Sequence, residues 1–216
     1  MGKKKKQKAD KRQAYGVTIL KPSHSRIRAL KKDHEPEIHG QKFWNSSFLI
    51  MDYLEQQGLP PNPSAMEIGC GWGTAGIYCA KRHQASVVGV DADPHVFPYL
   101  HLHAEVNEVS IRTRTSRFEK LKKKHLAPHD LILGADICFW DELIDPVYTV
   151  IRKAIKAGVG QVIIADPGRS PFDEICERCR KKFDAEVKEA PDWIQEVIQG
   201  HESLPWRRRG FERDAV

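Results

Sequence analysis

Residues 66–76 read Met-Glu-Ile-Gly-Cys-Gly-Trp-Gly-Thr-Ala-Gly, so an acidic residue stands near the end of an apolar run and alternating glycines follow it. A second β-branched run, residues 86–91, reads Ser-Val-Val-Gly-Val-Asp and ends on an aspartate. Glycine allows a tight turn and a close approach of the backbone to a ligand, because it has no Cβ. The order strand, glycine turn, helix, strand and acid predicts one half of a nucleotide-binding α/β sheet.

The glycine spacing separates two kinds of ligand. A dinucleotide fingerprint reads G-x-G-x-x-G and seats a pyrophosphate on a helix N-terminus, whereas the stretch from Glu67 to Gly73 reads E-x-G-x-G-x-G. The Glu67 carboxylate would repel a phosphate and attract a cationic amino-acid end. S-adenosyl-L-methionine has an ammonium, a sulfonium, a ribose and an adenine, and no phosphate. We therefore predict this cofactor, bound by Glu67, Gly69, Gly71 and Gly73, with Asp91 hydrogen-bonded to its ribose diol.

At these residues the sequence resembles the class I methyltransferases, whose first motif matches Glu67 to Gly73. The resemblance implies a Rossmann-like, doubly wound α/β fold: a mostly parallel seven-strand sheet with helices on both faces. The predicted core strands are 64–68, 86–91, 109–115, 130–136 and 160–166, with weaker strands near 184–189 and within 204–211. The predicted helices include 74–83, a helix that starts near Pro94, an amphipathic helix from Leu143 that ends at Gly158, and 171–183.

Residues 116–119 read Ser-Arg-Phe-Glu and follow the third strand, where this fold usually meets the adenine. We assign Arg117 and Phe118 to the cofactor site, with Phe118 beside the adenine ring. The alternative is a surface turn that leads into the lysine-rich run 120–124.

The end of the fourth strand is the predicted reaction chamber, because ligands of open α/β sheets bind outside the carboxyl ends of the strands. Asp136 is placed there to orient an amine or to receive its proton, and to contact the cofactor. Phe139 and Trp140 are predicted to wall an amine by cation–π contact, although both also suit a core under the next helix. Trp44 precedes a helix and either faces the pocket or packs; we include it among the cofactor residues.

Three segments sharpen the resemblance: the lead-in at Trp44, the strand that ends at Asp136, and the Asp-Pro-Gly-Arg turn at 166–169. Together they resemble the seven-strand protein lysine methyltransferases, in the branch of the electron-transfer-flavoprotein β-subunit lysine methyltransferase. The resemblance covers residues of about 40 to 175. That family usually has Asp-x-x-Tyr after the fourth strand, and here the tyrosine position holds Phe139. Arg169 either binds a substrate carboxylate or closes the site by an ion pair.

The net charge of +6 lies in a short N-terminal segment. Residues 1–12 contain seven basic residues and one acidic residue, and the remaining 28 basic and 28 acidic residues cancel. We predict a disordered basic tail over 1–15 and a single methyltransferase domain over 16–216 that begins with a helical lead-in. The tail either contacts RNA or an acidic partner, or is a solvated terminus.

The amino-acid composition indicates in which cellular compartment the protein is expected. No apolar stretch approaches the roughly 20 residues of a membrane helix, and no hydrophobic segment follows the basic N-terminus as in a secretory signal. The cysteine count, five, is odd, which favours reduced thiols and a cytoplasmic protein. The one close cysteine pair, Cys176 and Cys179, has no second pair beside it, so we predict no metal site.

Several functions remain open. The first is methylation of a side-chain nitrogen, most simply lysine, in a protein substrate. An RNA methyltransferase is the alternative that the basic tail and the lysine-rich run suggest, and a small-amine N-methyltransferase is another. A fourth is a catalytically idle member of the fold that serves as a binding partner.

Overall fold

The computed structural model describes residues 10–189 of the chain. Its strands are β1 (Lys11–Ala14), β2 (Val17–Leu20), β3 (Ser64–Ile68), β4 (Ser86–Asp91), β5 (Arg112–Thr115), β6 (Leu131–Ala135) and β7 (Gln161–Ala165). Its α-helices are α1 (Ser25–Asp33), α2 (Ser46–Gln57), α3 (Thr74–His83), α4 (Phe97–Val106), α5 (Lys123–Leu126), α6 (Ile144–Ile155) and α7 (Ser170–Phe183). Short 3₁₀ turns lie at Pro94–Val96, Phe118–Lys120 and Asp141–Leu143.

The central sheet is parallel, with the spatial order β5-β4-β3-β6-β7. The chain runs outward from β3 to β5 and then returns to place β6 on the other side of β3. This reversal is a topological switch point, where ligands of open α/β sheets bind. All five strands point their carboxyl ends to the same edge, so the loops after β3, β4, β5 and β6 meet there.

Two apolar layers cover the sheet. One contains residues of α2, α3 and α4, among them Phe48, Ile77 and Leu100. The other contains residues of α5, α6 and α7, such as Val147 and Ile175. β3 and β6 lie between the two layers and are almost entirely buried, as expected for parallel strands covered on both faces. The Rossmann-like α/β class is therefore confirmed.

The N-terminal lead-in differs from the prediction. Lys11–Ala14 and Val17–Leu20 form an antiparallel hairpin, so the last part of the predicted tail is a strand and the lead-in is only partly helical. Tyr15 and Gly16 form its two-residue turn with φ values of 51° and 76°, and positive φ at both positions gives the twist that hairpins favour. Asn107 fixes the hairpin from the end of α4, because its side chain both accepts from Thr18 N–H and donates to Thr18 C=O, each at 2.8 Å.

Two basic residues of the charged N-terminal segment thus belong to the folded part. Lys11 and Arg12 lie in β1, and the Arg12 guanidinium lies over the Phe48 ring at 4.2 Å. Burial lowers the pKa of Arg12 from its ordinary value. The arginine packs against the domain, so the segment that carries the charge excess is shorter than predicted.

The strand count also needs correction. Within residues 10–189 the central sheet has five strands, and the other two strands form the separate hairpin. Residues 184–189 have no strand, so the strand predicted there is wrong. The edge strand predicted within 204–211 lies outside the described residues. In the described part of the chain, no helix is long and apolar enough to cross a membrane.

Candidate active site

A cleft of about 900 Å³, counted to its open mouth, lies at the carboxyl ends of β3, β4, β5 and β6. Nine of the predicted site residues line it: Trp44, Gly69, Gly71, Asp91, Arg117, Phe118, Asp136, Phe139 and Trp140. Glu67 instead lines a small adjoining pocket under the glycine loop. Gly73 lines neither cavity and precedes the first turn of α3.

The glycine loop has three left-handed backbone positions, at Gly69, Gly71 and Gly73, with φ values of 61°, 49° and 73°. A Cβ on Gly69 would come within 2.6 Å of Ile137, and one on Gly73 within 2.6 Å of Leu100. A Cβ on Gly71 would meet no atom within 4 Å and would project into open space. Gly69 and Gly73 are therefore required by packing, whereas Gly71 leaves room for a ligand against the backbone.

Asp91 ends β4 and supports this loop. Its Oδ2 accepts the Gly71 N–H at 2.9 Å, and its Oδ1 accepts the Asp93 N–H at 3.0 Å. Burial raises the pKa of Asp91 above its ordinary value. Each carboxylate oxygen has a second lone pair, so Asp91 can still accept hydrogen bonds from a ribose diol. An open glycine backbone beside an acid at the next strand tip suits S-adenosyl-L-methionine.

Glu67 is buried behind the loop. Its Oε2 accepts the Gly76 N–H at 2.9 Å, near the start of α3, and a Cβ on Gly76 would lie 2.7 Å from that oxygen. Burial raises the pKa of Glu67 from 4.5 to about 8. Glu67 thus satisfies an otherwise unpaired helix amide, and its predicted contact with the cofactor ammonium stays a prediction.

The loop after β5 forms the far side of the cleft. Arg117 and Phe118 both line it. The Phe118 ring lies beside the glycine loop, because a Cβ built on Gly69 would be 3.5 Å from its Cζ. An aromatic face at this point is suited to a flat adenine ring, and the assignment of both residues to adenine stays a prediction.

Asp136 follows β6 in a left-handed conformation, with φ 56°. Its Oδ2 accepts the Ser46 N–H at 3.0 Å, and its Oδ1 accepts from Arg169 Nη2 at 2.9 Å. Arg169 Nη1 also donates to Asp166 Oδ2 at 2.7 Å, so one guanidinium bridges two carboxylates at neighbouring strand tips. Of the two roles left open for Arg169, the ion pair is present. Because both Asp136 oxygens are engaged, the geometry favours an orienting role for Asp136 over proton acceptance.

Four rings form what we call the aromatic mouth: His39, Trp44, Phe139 and Trp140. The centroids of His39 and Phe139 are 4.8 Å apart, those of His39 and Trp140 4.9 Å, and those of Phe139 and Trp140 4.7 Å. Trp140 is 49% exposed, so it is not a core residue. Aromatic faces of this kind can attract a cation.

Two contributors to the site were absent from the sequence prediction. His39 has no local signal, and it reaches the mouth through a left-handed backbone, with φ 45°. Trp72 lies inside the glycine motif, but it is buried and stacked on Tyr99, and its Nε1–H donates to Gly40 C=O at 2.8 Å. That hydrogen bond ties the segment around His39 to the glycine loop. The one sequence signal for Trp72 is its position between two of the alternating glycines.

The fold and the position of the cleft are those of the class I S-adenosyl-L-methionine-dependent methyltransferases. A profile of the lysine methyltransferase family matches residues 24–176, and the chain belongs to that family. Its family and its fold are those of methyltransferases that use S-adenosyl-L-methionine.

Relatives and solved structures agree with this placement. The chain is 29% identical over 145 residues to an electron transfer flavoprotein beta subunit lysine methyltransferase from Xenopus laevis. This alignment covers 64% of this chain and 58% of the relative. The Danio rerio protein of the same name is 22% identical over 64% of this chain and 54% of its own. The chain thus spans little more than half the length of these relatives. The fold matches a ribosomal protein L11 methylase from Lactobacillus delbrueckii subsp. bulgaricus, with a TM-score of 0.51, 17% identity and coverage of 67% and 73% of the two chains.

Substitution of Gly71 tests the cofactor site. Gly71→Arg should weaken S-adenosyl-L-methionine binding by more than about a hundredfold in calorimetry, equivalent to about 2.7 kcal/mol, because the side chain would fill the open space against the loop. Gly158→Arg is the matched control, since Gly158 also has positive φ and open space around it. Full binding by the Gly71 variant would place the cofactor elsewhere.

The buried Glu67 predicts a pH dependence of stability. Its folded-state pKa of about 8 exceeds 4.5, so the unfolded chain binds fewer protons between these values. The free energy of unfolding therefore falls as pH rises through this window. Glu67→Gln, which still accepts from Gly76, should flatten this slope and stabilise the protein near pH 8, as measured by urea midpoints. The exposed Glu108→Gln is the control, and a slope that persists in the Glu67 variant would contradict the assignment.

Proposed function

We propose that the protein transfers a methyl group from S-adenosyl-L-methionine to the side-chain nitrogen of a lysine in a protein substrate. The observation that carries the proposal is the aromatic mouth, which adjoins Asp136 in the same cleft as the glycine loop and Asp91. Membership of the lysine methyltransferase family and the two relatives named for lysine methylation of a flavoprotein subunit support it.

The bound cofactor supplies a methyl group attached to positively charged sulfur. Gly69, Gly71 and Asp91 are the residues that would hold it, with Phe118 beside its adenine. The protein must then align the amine with the methyl group and exclude water, because alignment and desolvation account for much of the rate of such a displacement. Phe139 and Trp140 attract an alkylammonium by their π faces. Asp136, fixed by Arg169 and Ser46, orients it.

A small amine is the second candidate acceptor. The chain is 25% identical over 138 residues to phosphoethanolamine N-methyltransferase 1 from Arabidopsis thaliana, with coverage of 62% of this chain and 27% of that protein. An RNA acceptor has less support, because Lys123 and Lys124 of α5 are exposed and do not line the cleft. The proposal also includes a reducing, cytoplasmic compartment, which the five unpaired cysteines favour.

Transfer of labelled methyl into a cell lysate separates these acceptors. We expect label in macromolecules that survives nuclease, disappears with protease and is recovered as methylated lysine after hydrolysis. The Gly71→Arg variant should give no label. Label lost with ribonuclease would support an RNA substrate instead, and label confined to small molecules would support the small amine.

The aromatic mouth has its own test on the purified protein that becomes labelled. Trp140→Ala should raise KM about two- to thirtyfold, because a cation–π contact contributes about 0.5–2 kcal/mol. Ile155→Ala is the control, since Ile155 is another exposed large apolar residue and lies at the end of α6. An unchanged KM in the Trp140 variant would remove Trp140 from the substrate site.

A further inference from the structure

We propose that His39 is a catalytic residue that accepts the proton which the substrate ammonium must lose before methylation. This inference rests on the proposed function, because it concerns an amine that enters through the aromatic mouth. A free lysine side chain has a pKa of about 10.4 and is almost entirely protonated at neutral pH. Only the neutral amine has the lone pair that attacks a methyl group, so the site needs a proton acceptor.

The cleft offers few acceptors. Its titratable lining residues are His39, Asp91, Arg117, Glu119 and Asp136. Arg117 cannot accept a proton. Asp91 lies at the glycine loop, on the side of the cleft assigned to the cofactor, and Asp136 is held in an ion pair with Arg169.

Glu119 lies at the β5 end of the cleft, far from the aromatic mouth. It belongs to the turn after β5, and β4 and β3 separate that strand from β6, which leads into Phe139 and Trp140. His39 lies on the correct side, with its ring 4.8 Å and 4.9 Å from those two rings between centroids. An ammonium held against Phe139 and Trp140 would therefore be beside the His39 imidazole.

The imidazole is free to act. Among the hydrogen bonds of residues 10–189, its two ring nitrogens have no partner; the residue takes part only through its carbonyl, which accepts from Trp44 Nε1 at 3.0 Å. His39 is exposed to solvent, so a proton that it accepts can pass on to water. Histidine is the side chain that exchanges a proton most readily near neutral pH.

The backbone holds His39 in place. Its left-handed φ of 45° is unfavourable for a residue with a Cβ. Two indole N–H groups fix the adjacent carbonyls, that of His39 through Trp44 and that of Gly40 through Trp72. The two hydrogen bonds hold the segment in this conformation.

The proton transfer balances as follows. A substrate N–H bond breaks, and its electron pair stays on nitrogen as the lone pair that methylation requires. The proton forms a new N–H bond on the unprotonated nitrogen of neutral His39, and the imidazolium then releases it to solvent. His39 is neutral again for the next cycle.

The test uses the full chain and the purified protein that becomes labelled in the lysate. His39→Asn keeps a residue that tolerates left-handed backbone, and it should lower kcat by about a hundredfold, as removal of a general base does. Its affinity for S-adenosyl-L-methionine in calorimetry should be unchanged. His101→Asn, an exposed histidine on α4, is the matched control. Added imidazole should restore part of the kcat of His39→Gly at fixed pH, in proportion to its concentration.

Three results would overturn the inference alone. The first is a kcat of His39→Asn close to that of the wild type, and the second is a lower kcat that imidazole does not rescue. The third is a change confined to KM, which would make His39 only a wall of the mouth. In all three cases wild-type methylation would leave the proposed function standing. Absence of methyl transfer by the wild-type protein to any amine would overturn both.

Discussion

One guanidinium, that of Arg169, lies between the carboxylates of Asp136 and Asp166 at the tips of β6 and β7. The two carboxylate side chains are 4% and 0% exposed, so without a cation between them two buried charges of the same sign would repel. The other Asp136 oxygen accepts the Ser46 N–H and fixes the start of α2. The ion pair therefore fixes Asp136, which lines the cleft and lies three residues before Phe139 of the aromatic mouth.

The mouth is also tied to the cofactor side of the cleft. Asp93, just after β4, accepts the N–H groups of Glu37 and Ile38 at 2.6 Å and 3.2 Å. Trp72 of the glycine loop donates to Gly40 at 2.8 Å. The segment that carries His39 is thus fixed from two strand ends, by residues adjacent in sequence to those that would hold the cofactor.

Much of this arrangement followed from the sequence. The strands β3 and β4 and the helix α3 fall where the sequence predicted them, because short apolar runs bounded by glycine and acid have few other structures available. The parallel topology then brings the ends of distant strands together, which is why Asp91, Phe118 and Asp136 were predicted to share a cleft that they do line. Whether they bind the cofactor is still a prediction.

The remaining features depend on long-range contacts. The Tyr15-Gly16 turn is a local signal within a run of charged residues, but the anchoring of its hairpin by Asn107 spans 89 positions. Arg169 could be matched with Asp136 only once β6 and β7 were adjacent. His39 has no periodicity or motif around it, since its position follows from two indole hydrogen bonds and a left-handed residue.

The charge of the cleft explains why these features belong together. A sulfonium and an ammonium repel each other, so a site for both must attract positive charge and yet release the proton of the amine. A free carboxylate beside the amine would stabilise the ammonium and oppose its deprotonation. The Arg169 ion pair offsets the charge of Asp136, and the rings of Phe139 and Trp140 attract a cation without a formal charge. An uncharged base beside those rings can then take the proton, which is the position that His39 occupies.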